Sequence, residues 1–209
     1  MLKTVPAYKK RPVVMLRIVD LSRQIQGRIP TMRFQTHPRV SFTRIEASAF
    51  VIRHGKTVDQ LPVEGFAKSA VLLDLSGKNV GEIDDEDLEG AEEAAGLSIR
   101  EGEVVVLHTC WGEGSMERRM PFPGLSRNAV DFLLFRGIAG IAVDCPSVDE
   151  AKSMRTHRVL LSNEVSVIED VCSLEEIDQS RFRLVTLPLR MRASVSPARV
   201  VALLGECYW

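Results

Sequence analysis

Two segments of the sequence carry the residue types of a metal site. THRVLLSNEVSVIED places His157 twelve residues before Glu169, and VSFTRIEASAFVIRHGKTVDQLP, which runs from Val40 to Pro62, contains Glu46. Imidazole nitrogens and carboxylate oxygens form a mixed ligand set that suits zinc or manganese. A metal held in this way can activate a water molecule for attack on a carbonyl carbon. We therefore interpret the two segments as halves of one site.

These segments and several others resemble the cyclase family, which is best known through the bacterial kynurenine formamidases. Asp20-Leu21-Ser22 is similar to the signature tripeptide of the family's opening strand. Further matching segments follow in the family's order: GKTVDQLP (55–62), TCWGEGS (109–115), PGLS (123–126), DCPSVD (144–149) and LPLRMRASVSPARVVALL (187–204). The resemblance implies a metal-dependent hydrolase of N-formyl amides, cyclic amides or lactones. It also implies the swivelling fold, an α/β arrangement of β/β/α layers with a mixed sheet and few helices.

The first half of the implied site departs from the family's motif, His-x-Gly-Thr-His-x-Asp-x-Pro-x-His. An ungapped alignment places Val40 and Arg44 at the first two histidines, Glu46 at the aspartate, and Phe50 at the third histidine, which usually transfers protons. Valine cannot ligate a metal, and arginine has no lone pair to offer. The implied ligands that remain are Glu46, His157 and Glu169. The site is therefore expected to hold zinc or manganese weakly, or to hold no metal.

Arg44 suggests a specific alternative to a metal. Without a cation, Glu46 and Glu169 would be buried like charges, which is costly unless one of them takes up a proton. Arg44 could place its guanidinium where the metal would sit and pair with either carboxylate. This is the hypothesis of an arginine-filled pseudo-metal site. The competing interpretation is that Arg44 points to solvent.

Two kinds of function remain open. An active enzyme would be a hydrolase with an altered metal shell, or a metal-free cyclase or lyase in which Glu46 transfers protons and Arg44 holds a carboxylate. Its candidate catalytic residues are Glu46, His54 and His157, although His54 is also compatible with a surface position and His157 with a hydrogen-bonded core position. Its candidate substrate-binding residues are Arg44, Phe50, Cys110 and Trp111. The alternative is a non-catalytic relative that binds a small ligand or a partner subunit, and we expect loss or alteration of the usual metal-dependent activity.

Cys110 stands in the family's Thr-Gly-Trp turn, where glycine is usual. It ends the strand-like run VVVLHTC, and His108 lies two residues before it on the same strand face. His108 could therefore act as the base for a cysteine nucleophile. A small buried thiol at a strand end is the alternative interpretation. The four cysteines are scattered without metal-binding spacing, so we expect free thiols.

The hydrophobic pattern predicts more strands than helices. The predicted strands are Val14–Val19, Arg44–Arg53, Ala70–Asp74, Glu103–Thr109, Ile138–Val143, Val165–Ile168, Leu184–Leu189 and Arg199–Leu203. The predicted helices are Asp84–Ala95, which begins with acidic residues and ends before Gly96, and Arg127–Arg136, which Ser126 caps. A short helical turn is predicted after Ser173.

Composition excludes several classes of partner. The 209 residues are 45% hydrophobic and 26% charged with a formal net charge of −1, which is typical of globular proteins and sufficient for one domain over residues 1–209. The balanced charge does not favour nucleic acid or a membrane surface, and no apolar run approaches the roughly 20 residues that span a bilayer. The N-terminal segment lacks the long apolar stretch that is typical of a signal peptide, so the cytoplasm is the expected location.

The expected partners are a small-molecule carbonyl substrate or ligand and further copies of the chain. The resemblance implies a homodimer or tetramer. The apolar C-terminal end, ALLGECYW, finishes in Tyr208 and Trp209 and would suit a contact between subunits.

Overall fold

A computed structural model describes residues 16–24, 42–78, 81–111, 122–149 and 153–205 of the chain. Its strands are β1 (Arg17–Asp20), β2 (Arg44–Glu46), β3 (Ala67–Asp74), β4 (Val104–His108), β5 (Gly140–Val143), β6 (Ser166–Glu169), β7 (Arg181–Pro188) and β8 (Val195–Leu204). Its α-helices are α1 (Asp85–Ala95), α2 (Arg127–Phe135) and α3 (Arg155–Ser162). Short 3-10 helices span Ser48–Phe50, Val58–Gln60, Val63–Phe66 and Leu174–Glu176.

The strands form one mixed sheet that closes on itself. Their order is β1-β8-β2-β6-β5-β4-β3-β7, and β7 also pairs with β8, so that seven strands make a barrel to which β1 is added. The neighbours β3, β4, β5 and β6 are parallel, and the other pairs are antiparallel. A mixed sheet with few helices confirms the predicted fold class. The carboxyl ends of the four parallel strands lie side by side at one edge.

Both faces of the central strands are buried. Side chains alternate between the two faces of a strand, so Val106 of β4 joins an apolar cluster that contains no α-helical residue and therefore fills the barrel. Its neighbours Val105 and Leu107 join a second cluster with residues of all three α-helices. Burial on both faces explains why β4 reads as a continuous apolar run rather than an alternating one.

Most predicted elements are confirmed with shifted ends, including both helices and the turn after Ser173. Asp84 and Ser126 cap α1 and α2 through their side chains. Gly96 ends α1 with φ +62°, a left-handed conformation that favours glycine.

The predicted strand Arg44–Arg53 is wrong beyond Glu46. The chain forms a 3-10 turn at Ser48–Phe50 and folds back, and the backbone N–H of Ala49 donates to the carbonyl of Lys56 at 2.9 Å. Gly55 permits this close return, because a Cβ there would lie 2.5 Å from the carbonyl carbon of Ser48.

Helix α3 was not predicted. Its buried residues Thr156, His157, Leu160 and Leu161 repeat at intervals of four, which is the spacing of an amphipathic helix.

Some expectations concern residues outside the described ranges. These are the start of the first strand at Val14, the alignment position of Val40, and the C-terminal pair Tyr208 and Trp209. Within the described ranges, no helix has the length and apolar character needed to cross a membrane.

Candidate functional site

Three elements bring the predicted metal ligands and Arg44 together. Arg44 on β2 pairs directly with Glu169 on the antiparallel strand β6, so their side chains lie on the same face of the sheet. Glu46 is two residues along β2 and therefore shares that face. His157 reaches them from α3, the helix that immediately precedes β6.

His157 is the centre of this group. Its Nε2 lies 3.0 Å from Oε1 of Glu169 and 3.1 Å from Oε2 of Glu46, and its Nδ1 lies 2.6 Å from Oδ2 of Asp149. The Phe50 ring, at the position aligned with the family's third histidine, packs against the imidazole edge to face with centroids 5.7 Å apart. One ligand atom from each of Glu46, His157 and Glu169 lies within 4.8 Å of the others. The three side chains are buried.

The Arg44 guanidinium contacts three carboxylates at once. Nη1 donates to Oδ2 of Asp170 at 2.7 Å, and Nη2 donates both to Oε2 of Glu169 and to the carbonyl of Pro146. Nε lies 3.4 Å from Oε1 of Glu46. The Arg44 side chain is only 16% exposed, so it does not point to solvent.

Asp149 both orients His157 and caps its helix. Its carboxylate accepts from the imidazole, from the backbone N–H groups of Thr156 and His157 at 3.0 and 3.1 Å, and from the Ser153 hydroxyl. Burial alone would raise the pKa of Asp149, but these hydrogen bonds, led by that of His157, hold it well below its usual range. The Asp149 carboxylate is therefore ionised, and the hydrogen bonds it accepts come from α3 and from Ser153 just before that helix.

The protonation states of His157, Glu46 and Glu169 depend on one another. Burial acts to lower the pKa of His157, but its hydrogen bonds to Asp149 and Glu169 raise it to about 12, so the imidazole is protonated at neutral pH. Burial and the nearby Glu169 raise the pKa of Glu46 to about 7. Burial also acts to raise the pKa of Glu169, but Arg44 and His157 outweigh it and lower the pKa.

The cluster approaches electrical neutrality when Glu46 is protonated. Its positive groups are Arg23, Arg44 and His157, and its acidic groups are Glu46, Asp149, Glu169 and Asp170. Arg23 lies at its margin, with Nε 4.0 Å from Oδ1 of Asp170. When Glu46 is protonated, three negative charges balance three positive ones. A buried cluster without net charge has the lowest electrostatic cost.

Three buried side-chain atoms of the cluster have no hydrogen bond to a described residue, namely Nε and Nη2 of Arg23 and Oε2 of Glu46. The Nε2–H of His157 donates to Glu169, and Oε2 of Glu46, although only 3.1 Å from that nitrogen, accepts no hydrogen bond from any described residue. An orphaned buried carboxylate oxygen is costly, and a protonated carboxyl reduces that cost.

The other predicted residues belong to other segments of the chain. His54 is exposed in the turn after Ser48–Phe50, with φ +66°, and the described residues show no hydrogen bond between it and the cluster. Cys110 and Trp111 follow the end of β4. Whether His54 acts as a base and Cys110 and Trp111 bind substrate remains a prediction.

Asp149, Asp170 and Arg23 were not identified from the sequence. Asp149 ends the DCPSVD segment and Asp170 directly follows Glu169, so both stood inside matching segments and could have been found there. Arg23 lies in the opening segment RIVDLSRQIQGRIP (17–30), which also resembles the family, directly after the Asp20-Leu21-Ser22 tripeptide. Its neighbour Ser22 bonds to Val200, and the backbone N–H of Arg23 donates to Thr43 at 2.7 Å.

Known proteins share this sequence pattern and fold. The Cyclase family model matches residues 19–150. Kynurenine formamidase of Erythrobacter litoralis is 26% identical over 162 residues, which cover 77% of this chain and 69% of that protein. A solved structure of a potential metal-dependent hydrolase with cyclase activity superposes with a TM-score of 0.75 at 22% identity, covering 92% of this chain and all of the other.

A second solved structure has the same fold. Isatin hydrolase A from Labrenzia aggregata, bound to benzyl benzoate, superposes with a TM-score of 0.74 at 22% identity, covering 91% of this chain and 94% of that one. At this identity the superposition establishes the fold alone, whereas the family model extends over more than half of the sequence. This chain therefore belongs to the cyclase family.

Proposed function

We propose that this protein is a kynurenine formamidase-like member of the cyclase family in which Arg44 takes the place of the catalytic metal. The family's usual metal-dependent hydrolysis of amides or lactones is then lost, and the protein binds a small carbonyl-containing ligand or a partner. The observation that carries the proposal is the position of the guanidinium, which bonds to Glu169 and Asp170 and lies beside Glu46.

The donor set supports this proposal over a bound metal. Metal ligands must be deprotonated and must have free lone pairs. The Nε2 of His157 carries a proton and donates it to Glu169. Both oxygens of Glu169 already accept hydrogen bonds, Oε1 from the backbone of Val148 and from His157, and Oε2 from Arg44. Among the side-chain oxygen and nitrogen atoms of Glu46, His157 and Glu169, Oε2 of Glu46 alone has no hydrogen bond to a described residue.

The positive charges of Arg44 and His157 also disfavour a bound metal. A divalent ion about 4 Å from the Arg44 guanidinium would meet a repulsion on the order of 8 kcal/mol at the effective dielectric constant of a partly buried site. The protonated His157 would add to it. A metal could therefore enter only if Arg44 left the cluster and His157 lost a proton, and both changes expose charged groups that are now paired. The residues as they are arranged do not fit a metal.

An altered metal-dependent hydrolase is the second candidate. It is favoured by one observation, the 4.8 Å spacing of one ligand atom from each of Glu46, His157 and Glu169. If Arg44 swung outward, these three groups could hold zinc or manganese weakly. The substrates of such an enzyme would be N-formyl amides, cyclic amides or lactones.

Metal content distinguishes the two candidates. Purified protein is incubated with zinc or manganese, desalted and measured by inductively coupled plasma mass spectrometry, with His157→Ala as the control. The proposal predicts no metal above the buffer blank in either protein and no hydrolysis of N-formylkynurenine above the uncatalysed rate. Uptake of about one metal per chain by the wild type, lost in His157→Ala and accompanied by chelator-sensitive hydrolysis, would instead establish the hydrolase.

We also infer that the protein forms a homodimer or tetramer. Apolar side chains are exposed on both sides of β8, with Ile18 of β1 at 59%, Leu187 of β7 at 55% and Leu189 just beyond β7 at 57%. Exposed apolar side chains on the two strands that flank β8 are typical of a surface that another subunit covers.

A further inference from the structure

We propose that Cys110 and His108 form a nucleophile–base pair that accepts the acyl group of an activated carbonyl compound, such as an ester or a strained cyclic amide. The pair consists of the last residue of β4, His108, and a residue that follows the strand, Cys110. It contains no ligand of the implied metal. The proposal is therefore independent of whether Arg44 replaces a metal.

Contact between the thiol and the imidazole is the first observation. The Sγ of Cys110 lies 3.3 Å from Nε2 of His108, within the distance over which a thiol can pass its proton to an imidazole. Both side chains are partly exposed, so a ligand can reach them. The other two described cysteines have no imidazole contact. Cys145 is buried against Thr109 and Asp144, and Cys172 lies beside the Ser173 hydroxyl.

Two carboxylates lie near the His108 imidazole. Asp74 on β3 is the direct neighbour of His108 in the parallel register, and a hydrogen bond from the Ser76 backbone together with the attraction of His108 holds the pKa of Asp74 below its usual value. Asp144 at the end of β5 also attracts His108. Asp74 and Asp144 are therefore candidates for the third group that orients the base beside a nucleophile.

The backbone of Cys110 is strained. Its φ is +59°, in the left-handed region that side chains other than glycine rarely adopt. Glycine is usual at this position in the family pattern, so the turn itself needs no side chain. Strained non-glycine residues cluster at functional sites, and here the side chain is a thiol in contact with a base.

The indole N–H of Trp111, the residue that follows Cys110, suggests which ligand the Cys110–His108 pair would bind. The indole Nε1–H of Trp111 is buried and finds no acceptor among the described residues, while its ring packs edge to face on Phe122 with centroids 5.8 Å apart. An unpaired buried N–H is costly, and the carbonyl oxygen of an acyl ligand would satisfy it. The ligand expected next to Cys110 therefore carries a hydrogen-bond acceptor and an apolar part.

The chemistry is ordinary acyl transfer. The Cys110 thiolate adds to the carbonyl carbon, a thioester forms as the bond to the leaving group breaks, and His108 gives the leaving group the proton it took from the thiol. Water, deprotonated by His108, then cleaves the thioester and releases the acid while the thiol is restored. No oxidant or metal is required.

The pH profile of alkylation tests the pair without depending on access. The native protein is treated with iodoacetamide at pH 6 and pH 8, and the rate at each cysteine is read by peptide mass spectrometry. For Cys110 we expect a rise of less than about tenfold between the two pH values, against nearly 100-fold for an ordinary thiol such as Cys172. His108→Gln should give Cys110 the steep profile. A steep profile at Cys110 of the wild type would overturn the proposal.

Acyl transfer needs its own test. The protein is mixed with p-nitrophenyl acetate in excess chelator, quenched with acid, and searched for an acetylated Cys110, with Cys110→Ser as the control. Acetylation of Cys110 in the wild type but not of Cys172, or release of p-nitrophenol that Cys110→Ser abolishes, supports the proposal, and the absence of both refutes acyl transfer even if the alkylation profile is shallow. Cys110→Gly should remove both reactivities while raising the melting temperature, whereas a thiol with only a packing role would lower it on removal.

Discussion

At the scale of the residue, the proposed function has the single positive charge of the Arg44 side chain in the place of a divalent metal ion. The guanidinium bonds to carboxylates on β6 and in the segment after it, and it lies beside Glu46 on its own strand. Desolvation offsets most of the attraction in such a cluster, so it is not expected to stabilise the fold more than an apolar core would. Removing one member is different, because the others are then buried without a partner.

We therefore expect Arg44→Met to lower the free energy of unfolding by about 3–5 kcal/mol at pH 7. Arg199→Met is the matched control, since Arg199 pairs with Asp20 through side chains that are 69% and 44% exposed, and should cost less than about 1 kcal/mol. Urea denaturation measures both. Equal losses in the two variants would show that the Arg44 cluster is not a tightly coupled buried group.

Stability should also fall as the pH rises. The folded state raises the pKa of His157 from 6.5 to about 12, so its contribution is complete below about pH 6.5 and declines above it. Glu46, with a pKa raised from 4.5 to about 7, loses its contribution between those values in the same direction. Between pH 7 and 10 we expect the wild type to lose stability relative to His157→Gln, on the order of 1 kcal/mol per pH unit. A constant difference would contradict the protonated imidazole.

The sequence was enough to identify Arg44, Glu46, His157 and Glu169, because family spacing places them on strands or at a fixed separation. It was not enough to identify Asp170 as the second partner of Arg44. That contact depends on the direction the guanidinium takes across β6, which only the strand register determines.

At the scale of the element, α3 shows why local signals can fail. The residue before its first turn is Met154, with φ +50° and no side-chain cap, so the sequence lacks the usual start signal. The cap comes instead from Asp149, through its bonds to the N–H groups of Thr156 and His157. By contrast, α1 and α2 have local caps in Asp84 and Ser126 and were predicted within a residue.

Asp149→Ala should therefore destabilise the first turn of α3 and, at the same time, remove the hydrogen bond that orients His157. We expect a loss of about 2–4 kcal/mol, since two backbone donors lose their acceptor and a buried imidazolium loses its partner. Hydrogen exchange should quicken in α3 and not in α2. Asp149→Asn keeps an acceptor oxygen and should cost less. If both variants left exchange in α3 unchanged, the capping role would be wrong.

At the scale of the whole molecule, the fold places several titratable side chains at one edge of the barrel. The parallel strands β3 to β6 end in or next to Asp74, His108, Asp144 and Glu169, and ligands of sheets of this kind bind at the carboxyl ends of strands. The hydrophobic pattern predicted more strands than helices, and the resemblance to the cyclase family implied the mixed sheet. Closure through β7 and β8 was not predicted, because it depends on pairing between distant segments rather than on local pattern.

The exposed apolar side chains at β1 and β7 give a prediction at this scale. Light scattering after size exclusion should report a dimer or tetramer, and Ile18→Lys combined with Leu189→Lys should shift the mass towards the monomer. Phe135→Lys is the control, since Phe135 is 89% exposed on α2, and should leave the mass unchanged. A wild type that is monomeric at micromolar concentration would contradict the prediction.

The most direct test of the central claim is calorimetric titration of zinc into the wild type and into Arg44→His, side by side. The substitution removes the cation and adds an imidazole beside Glu46, His157 and Glu169, which completes a four-ligand set suited to zinc. We expect no saturable heat from the wild type and one-to-one binding by the variant. Saturable one-to-one binding by the wild type, as tight as that of the variant, would show that Arg44 does not stand in for the metal.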